Sequence, residues 1–400
     1  MTTMSETIHN ATTFERADRL KPLPPYLFVE IDRAKRKLRS EGNDVVDLGV
    51  GDPDLPTPPH IIERLKTAVD DPANHRYSFT EGLRELREAI ARWYDRRFGV
   101  SLDPDTEVLP LLGSKEGIAH APLAWTNPGD VVLVPDPCYP PYRSGTILAG
   151  AEVVSMPLIE EEGFFPDLGA ISQKAARRAK LLFLNYPNNP TAAVATAEQF
   201  QEAIDLAKEY GIAIAHDAAY SEVSFDGYRP ISFLQAPEAK SVGVEFHSLS
   251  KTYQMTGWRV GWVCGNAALI AALSQLKTHV DSGIFQPLQW AGIAALDGDQ
   301  APLRDAVATY QHRRDLLVDG LATAGWQIPK PAASFYLWAR VPTDESSMTF
   351  AARVLERAHV VLTPGVGFGP SGEGFVRFSL TMPTERIQEA VDRLSKIVQR

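Results

Sequence analysis

Cysteine is scarce: Cys138 and Cys264 are the only two in 400 residues, and neither stands in a CxxC pair or at metal-ligand spacing from a histidine. A disulfide framework is excluded, and a reducing compartment, the cytoplasm, is the expected location. The nine histidines form no HxH or HxxxH pair, so no metal site is expected. Long apolar runs are missing too. Those present, such as VVLV at 131–134 and LLFL at 181–184, fall far short of the ~20 residues that span a bilayer. The polar first 20 residues lack the apolar stretch of a secretion signal. Positive charge is in the minority, with 50 Asp and Glu against 40 Lys and Arg. A nucleic acid or an anionic membrane is therefore not an expected partner. There are no internal repeats and no low-complexity tracts.

What is present is a globular composition, 44% hydrophobic, in a chain long enough for two or three compact units. Helical spacing of apolar residues occurs at 26–38, 60–68 and 83–98. From residue 108 onward, short continuous apolar runs (VVLVPDP, EVVSMPL, LLFLNYP, IAIAHD, VGVEFHS) alternate with helical stretches such as 197–210. That alternation predicts an α/β unit with a mainly parallel sheet covered on both faces, spanning 46–290. After about residue 290 a long helix near 305–321 is followed by FYLWARV, a helix at 351–357, strands VVLTP and FVRFSL, and a last helix at 385–398. This predicts a smaller α+β unit over 291–400, joined by an N-terminal arm, 1–45, too short to fold alone.

In such a sheet the ligand sits beyond the carboxyl ends of the strands, so the polar residues that follow each apolar run are the informative ones. VVLVPDP leads to Tyr139, LLFLNYP to Asn189, IAIA to Asp217 and Tyr220, and VGVEF to Ser248, Ser250 and Lys251. An amine that condenses with an aldehyde needs a desolvated lysine, and Lys251 fits that need. A pyridine ring acting as electron sink needs a buried carboxylate at its nitrogen, here Asp217. Asn189 and Tyr220 would donate to the ring oxygen, and Tyr139 would stack on the ring. Ser114 and Lys115 opening a helix after Gly113, together with Ser248 and Arg259, would hold a phosphate. His216 and His247 read as packing or hydrogen-bonding residues. A GxGxxG at Gly367, Gly369 and Gly372 runs into a strand instead of a helix, so it is no dinucleotide fingerprint.

The strings YPNNPT, DAAY, HSLSKTYQMTGWRVG and FVRFSL, in this order, resemble the fold-type-I pyridoxal-phosphate aminotransferases (class I/II) from about residue 25 to the end. The resemblance implies a three-layer large domain and a homodimer that takes small amino-acid and 2-oxo-acid substrates. It implies that Lys251 anchors pyridoxal 5'-phosphate and shuttles protons, with Asp217 and Tyr220 as its catalytic partners. It also implies that Asn189 and Ser250 lie at the cofactor, that Arg377 binds the substrate carboxylate, and that Tyr77 reaches the partner's phosphate. Ala192 stands where the family commonly has glycine.

A finer likeness, in YLFVEI, LGVGDPDLPTP, GSKEGIAH, DPCYPPY and VDSGIFQ, is to the LL-diaminopimelate aminotransferase subgroup. It implies a substrate site that uses Gly51, Asn189 and Arg377 at one end and Tyr26, Lys115 and Gln286 at the other. Transamination of aspartate, alanine or aromatic amino acids, and C–S β-lysis, are the competing chemistries on the same residues.

Overall fold

The computed structural model describes residues 14–23, 27–79 and 81–398. Its strands are β1 (Val46–Asp47), β2 (Val108–Leu111), β3 (Val131–Asp136), β4 (Glu152–Pro157), β5 (Ala179–Asn185), β6 (Ala213–Asp217), β7 (Gly243–Ser248), β8 (Gly261–Gly265), β9 (Tyr336–Arg340), β10 (Val360–Val361), β11 (Thr363–Pro364) and β12 (Phe375–Ser379). Seven of them form one sheet in the order β2, β8, β7, β6, β5, β3, β4. Strands β7, β6, β5, β3 and β4 run parallel, and β8 runs against both its neighbours.

The inner parallel strands β3, β5, β6 and β7 lack polar alternation because both their faces are buried, whereas edge strand β4 is largely exposed. Successive residues point to opposite sides. Leu133, Leu182, Leu184 and Ile214 join one core, which helices Arg84–Phe98 and Ala197–Tyr210 complete through Leu86, Ile90, Phe200 and Ile204. Val132, Val134, Leu181, Phe183 and Val244 join the other, where helices Ser114–Trp125 and Ala267–Thr278 bring Ile118, Ile270 and Leu273. The crossover helix Ala197–Tyr210 starts on a capping box, Thr196 with Gln199, that satisfies two end groups reciprocally.

A second assembly lies after residue 300. Strands β11, β12 and β9 form an antiparallel sheet, and β1 pairs parallel with β10. Val46, Leu48, Leu317, Phe335, Leu337, Val376, Phe378, Ile387 and Leu394 share its core. The run at 360–364, read above as one strand, serves two sheets: Val360–Val361 pairs with β1, whereas Thr363–Pro364 pairs with β12. Pro364 has no N–H to donate, which suits it to the edge position of β11. The three glycines of the GxGxxG lie in or beside the short turns Gly365–Phe368 and Pro370–Gly372, ahead of β12. Ser371 N donates to Asp136 Oδ1 (3.2 Å) and Cys138 N donates to Phe368 O (2.9 Å), so this loop docks on the end of β3.

One buried charge holds the first core to the site. Glu245 on β7 accepts from Tyr94 Oη (2.9 Å), Ser232 Oγ (2.8 Å), Phe233 N (2.8 Å) and His216 Nδ1 (2.9 Å). Because His216 Nε2 accepts from Tyr186 N, the ring proton sits on Nδ1. Burial works against the Glu245 charge, but the hydrogen bonds from His216 and Ser232 outweigh it and hold the carboxyl below its usual range. Glu245→Ala strands four donors or ring groups at once and should cost about 3–5 kcal/mol in urea denaturation.

Candidate active site

The carboxyl ends of β3, β5, β6 and β7 open into a cavity of about 550 Å³. Ser114, Lys115, Tyr139, Asn189, Asp217, Tyr220, Ser248, Ser250, Lys251, Arg259, Gly51 and Arg377 all line it, as do Tyr336 and Phe368, which sequence reasoning passed over. Tyr26 lies outside the described residues. Tyr77 and Gln286 do not line the cavity. Tyr77 is 77% exposed, and the Gln286 Nε2 donates to the carbonyls of Arg76 (3.3 Å) and Tyr77 (3.4 Å).

Lys251 sits in the one-turn helix Leu249–Thr252 that follows β7, capped by Ser248 Oγ accepting from Ser250 N (3.1 Å). Its Nζ donates to Gly51 O (2.8 Å). Burial pushes its pKa below the ordinary lysine range, and the Arg377 and Arg259 guanidiniums push the same way against Tyr336 and Asp52. A larger share of neutral, nucleophilic amine follows. Asp217 ends β6, buried. Its Oδ2 accepts from Tyr142 Oη (2.8 Å) and its Oδ1 from Ala219 N (3.3 Å). Burial raises its pKa to about 6, outweighing these bonds and the charge of neighbouring His216. Tyr142 is a supporting residue the sequence reading did not separate from Tyr139. It stacks on Phe183 at 4.8 Å and is three residues on, at the start of helix Pro141–Leu148.

Asn185, the last residue of β5, organises the next segment: its Oδ1 accepts from Asn189 N (2.8 Å) and its Nδ2 donates to Asp217 O (2.7 Å). Asn189 Oδ1 in turn accepts from Arg377 Nη1 (2.7 Å), while Arg377 Nη2 donates to Gly49 O (2.8 Å). The Arg377 guanidinium lies between the rings of Tyr336 (4.0 Å) and Phe368 (4.6 Å), an arrangement that suits a fixed, planar carboxylate receptor. Ala192 has φ +59, the left-handed region, which explains a preference for glycine there. His216 and His247 are spent on structure: His247 stacks on Trp262 at 4.9 Å and hydrogen-bonds Ser221 Oγ (2.7 Å).

Four cations, Lys115, Lys251, Arg259 and Arg377, face one carboxylate, Asp217, in the lining of a chain whose net charge is −10. At the other end the helix Ser114–Trp125 points its N-terminus inward, a natural anion seat. Gly113 precedes it at φ +76, and a Cβ there would lie 2.2 Å from Arg259 Nη2, so only glycine lets the guanidinium close on that seat. Pyridoxal phosphate asks for an amine, a carboxylate for the ring nitrogen, donors for the ring oxygen and an anion seat. This donor set supplies each, and the underprovided Asp217 carboxylate suits a protonated ring nitrogen.

Fold and site together define an α/β enzyme built to anchor an aldehyde cofactor beside a carboxylate receptor. The chain belongs to the aminotransferase class I and II family, whose sequence profile matches residues 43–394; such enzymes depend on pyridoxal 5'-phosphate. It is 53% identical to an LL-diaminopimelate aminotransferase of Moorella thermoacetica over 96% of this chain and 98% of that one. It is 54% identical to the enzyme of the same name from Syntrophobacter fumaroxidans, over 96% and 99%. Among solved structures, substrate-bound BacF of Bacillus subtilis superposes with a TM-score of 0.92 at 42% identity, covering 97% of this chain and 98% of that one. Among the described residues no helix is long and apolar enough to cross a membrane, and no cluster of His, Cys, Asp or Glu is arranged to hold a metal.

Proposed function

We propose that the protein transfers an amino group from glutamate to tetrahydrodipicolinate, giving LL-2,6-diaminopimelate and 2-oxoglutarate. The observation that carries this reading is the charge of the cavity, four cations against one carboxylate. With Arg259 given to the phosphate and Arg377 to one carboxylate, Lys115 is assigned to a second carboxylate, as dicarboxylic substrates require. The relatives supply the particular substrate.

When bound, pyridoxal phosphate withdraws electrons from the Cα–H bond of the amino acid. Lys251 would anchor the cofactor and then, as a free amine, carry on Nζ the proton that leaves Cα to the cofactor carbon that takes the amino group. Asp217 holds a proton on the ring nitrogen. Tyr220 and Asn189, whose Oδ1 is engaged by Arg377 and whose amide N–H groups remain donors, face the ring oxygen. Tyr139 covers the ring face, and Ser114, Ser248 and Ser250 assist at the phosphate. Arg377 and the Gly51 backbone orient the substrate carboxylate. Tyr26, Lys115 and Gln286 are assigned to the distal group.

We assign Tyr77 to the active site of a second copy in a cytoplasmic homodimer; its exposure together with that of Phe79 and of Phe285, which neighbours the Gln286 bonded to the Tyr77 carbonyl, supports a partner on this face. We divide the chain into an arm (1–45), a large cofactor unit (46–290) and a small unit (291–400), and the bonds from Arg386 and Arg393 to Asp44 support the return of the arm to the small unit.

Steady-state kinetics with LL-diaminopimelate and 2-oxoglutarate, set against aspartate, alanine, aromatic amino acids and cystathionine, test the substrate. The expected result is a kcat/KM for diaminopimelate at least ~100-fold above the others, from one well-paired charged group. Negligible turnover of diaminopimelate overturns the substrate and leaves the class of reaction standing. Arg377→Ala should raise KM about 10²- to 10³-fold for the amino donor and the oxo acceptor alike, since both present the same carboxylate.

A further inference from the structure

Tyr336 opens β9, directly opposite Ser379 of β12, which places it on the same sheet face as Arg377, two pairs along. Three contacts fix its ring. The Arg377 guanidinium lies 4.0 Å from its centroid, Phe335 packs edge-on at 5.0 Å, and its phenol presses on Gly51 so closely that a Cβ there would lie 1.9 Å from Oη. The hydroxyl is thereby delivered to one neighbour, the hydroxyl of buried Tyr220 at 3.2 Å.

Two phenols at this distance share one hydrogen bond, and only one of them is its donor. Tyr220 remains protonated at neutral pH, because burial and the nearby Tyr336 raise its pKa well above the ordinary tyrosine value. If Tyr220 spent its single proton on Tyr336, it would have none for a cofactor oxygen. The geometry allows the other direction: Tyr336, its ring fixed, gives its proton to the Tyr220 hydroxyl, its one hydrogen-bond neighbour, and leaves the Tyr220 proton for the cavity that both side chains line. Arg377 and Asp217 act on Tyr220 in opposite senses. The remaining charged groups that act on this corner are Lys251, Asp52 and Arg259.

We propose that Tyr336 is a positioning residue for transamination: its hydroxyl donates to Tyr220 and so commits the only Tyr220 proton to the ring oxygen of the cofactor. The same side chain stacks under the guanidinium assigned to the substrate carboxylate, so it ties the ring-oxygen donor to the substrate receptor. This inference rests on the reading of Tyr220 as that donor. A hydroxyl that accepts a hydrogen bond donates more strongly, so removing the Tyr336 hydroxyl weakens Tyr220 without removing it.

The test is a pH titration of the visible absorbance of the holoprotein. A donor to the ring oxygen favours its deprotonated form, so losing the donor moves the midpoint up. Tyr220→Phe should raise it by about one pH unit, and Tyr336→Phe by roughly 0.3 to 0.5 unit. The doubly substituted protein should match Tyr220→Phe alone, because Tyr336 acts through Tyr220. Since Tyr336→Phe keeps the ring under Arg377, KM for glutamate should stay within about twofold while kcat falls several-fold. If Tyr220→Phe leaves the midpoint unmoved, the reading of Tyr220 itself fails. A shift with Tyr220→Phe but none with Tyr336→Phe overturns this proposal alone. So does a Tyr336→Phe shift that persists in the Tyr220→Phe background.

Discussion

Lys251→Ala should lower transamination by on the order of 10⁵-fold or more, and the holoprotein should lose the visible absorption of its bound cofactor. The size of the effect follows from two roles carried by one nitrogen. Lys251 Nζ anchors the cofactor and later moves the Cα proton, and among the lysines and histidines near the sheet ends it is the one that combines a lowered pKa with a place in the cavity. His216 and His247 are not substitutes, since their ring nitrogens are engaged with Glu245, Tyr186, Ser221 and Ser248. Lys251→Arg should be nearly as inactive, because a guanidinium does not deprotonate at working pH. Stability should change little, since the ammonium is only modestly served by one carbonyl, Gly51 O. Single-turnover assays with the purified variants check both.

Asp217→Asn should have opposite effects on activity and on stability. Turnover should fall by on the order of 10³-fold, because a neutral amide no longer holds a proton on the ring nitrogen. Stability of the cofactor-free protein should rise at neutral pH. By linkage, burial raises the folded carboxyl from its ordinary 3.8 to about 6, so between these values the folded state binds more protons than the unfolded chain. Stability from this group is whole below pH 3.8 and is lost as pH rises through 6, by on the order of 3 kcal/mol. Asparagine removes that loss. Its amide can still meet the Tyr142 hydroxyl while Oδ1 accepts from Ala219 N. Urea denaturation of both apo-proteins at pH 4 and pH 7.5 should therefore show a wild-type deficit that grows with pH.

The residues most legible in the sequence are those that end an apolar strand. Asp217, Asn189 and Lys251 stand within five residues of runs that could only be buried strands, and the rule that ligands gather at strand carboxyl ends puts them in one place. Tyr142, Tyr336 and Phe368 were not legible. Each is an aromatic among aromatics, and nothing in periodicity separates a ring that packs in a core from one whose hydroxyl meets Asp217 or Tyr220. Strand β8 was hidden for a related reason: Gly-Trp-Val-Cys-Gly is short, bounded by glycines, and carries no alternation. The run at 360–364 shows the limit of reading strands by apolarity, since pairing partners are tertiary information. Tyr77 and Gln286 entered through resemblance alone, and within one chain they lie on the surface.

The most direct measurement of the cofactor site is reduction of the holoprotein with borohydride in the presence of pyridoxal phosphate, followed by peptide mass spectrometry. The expected result is a single phosphopyridoxyl label per chain, on Lys251, absent from Lys251→Ala. A label on Lys115 or on scattered surface lysines, with Lys251 unmodified, would contradict it.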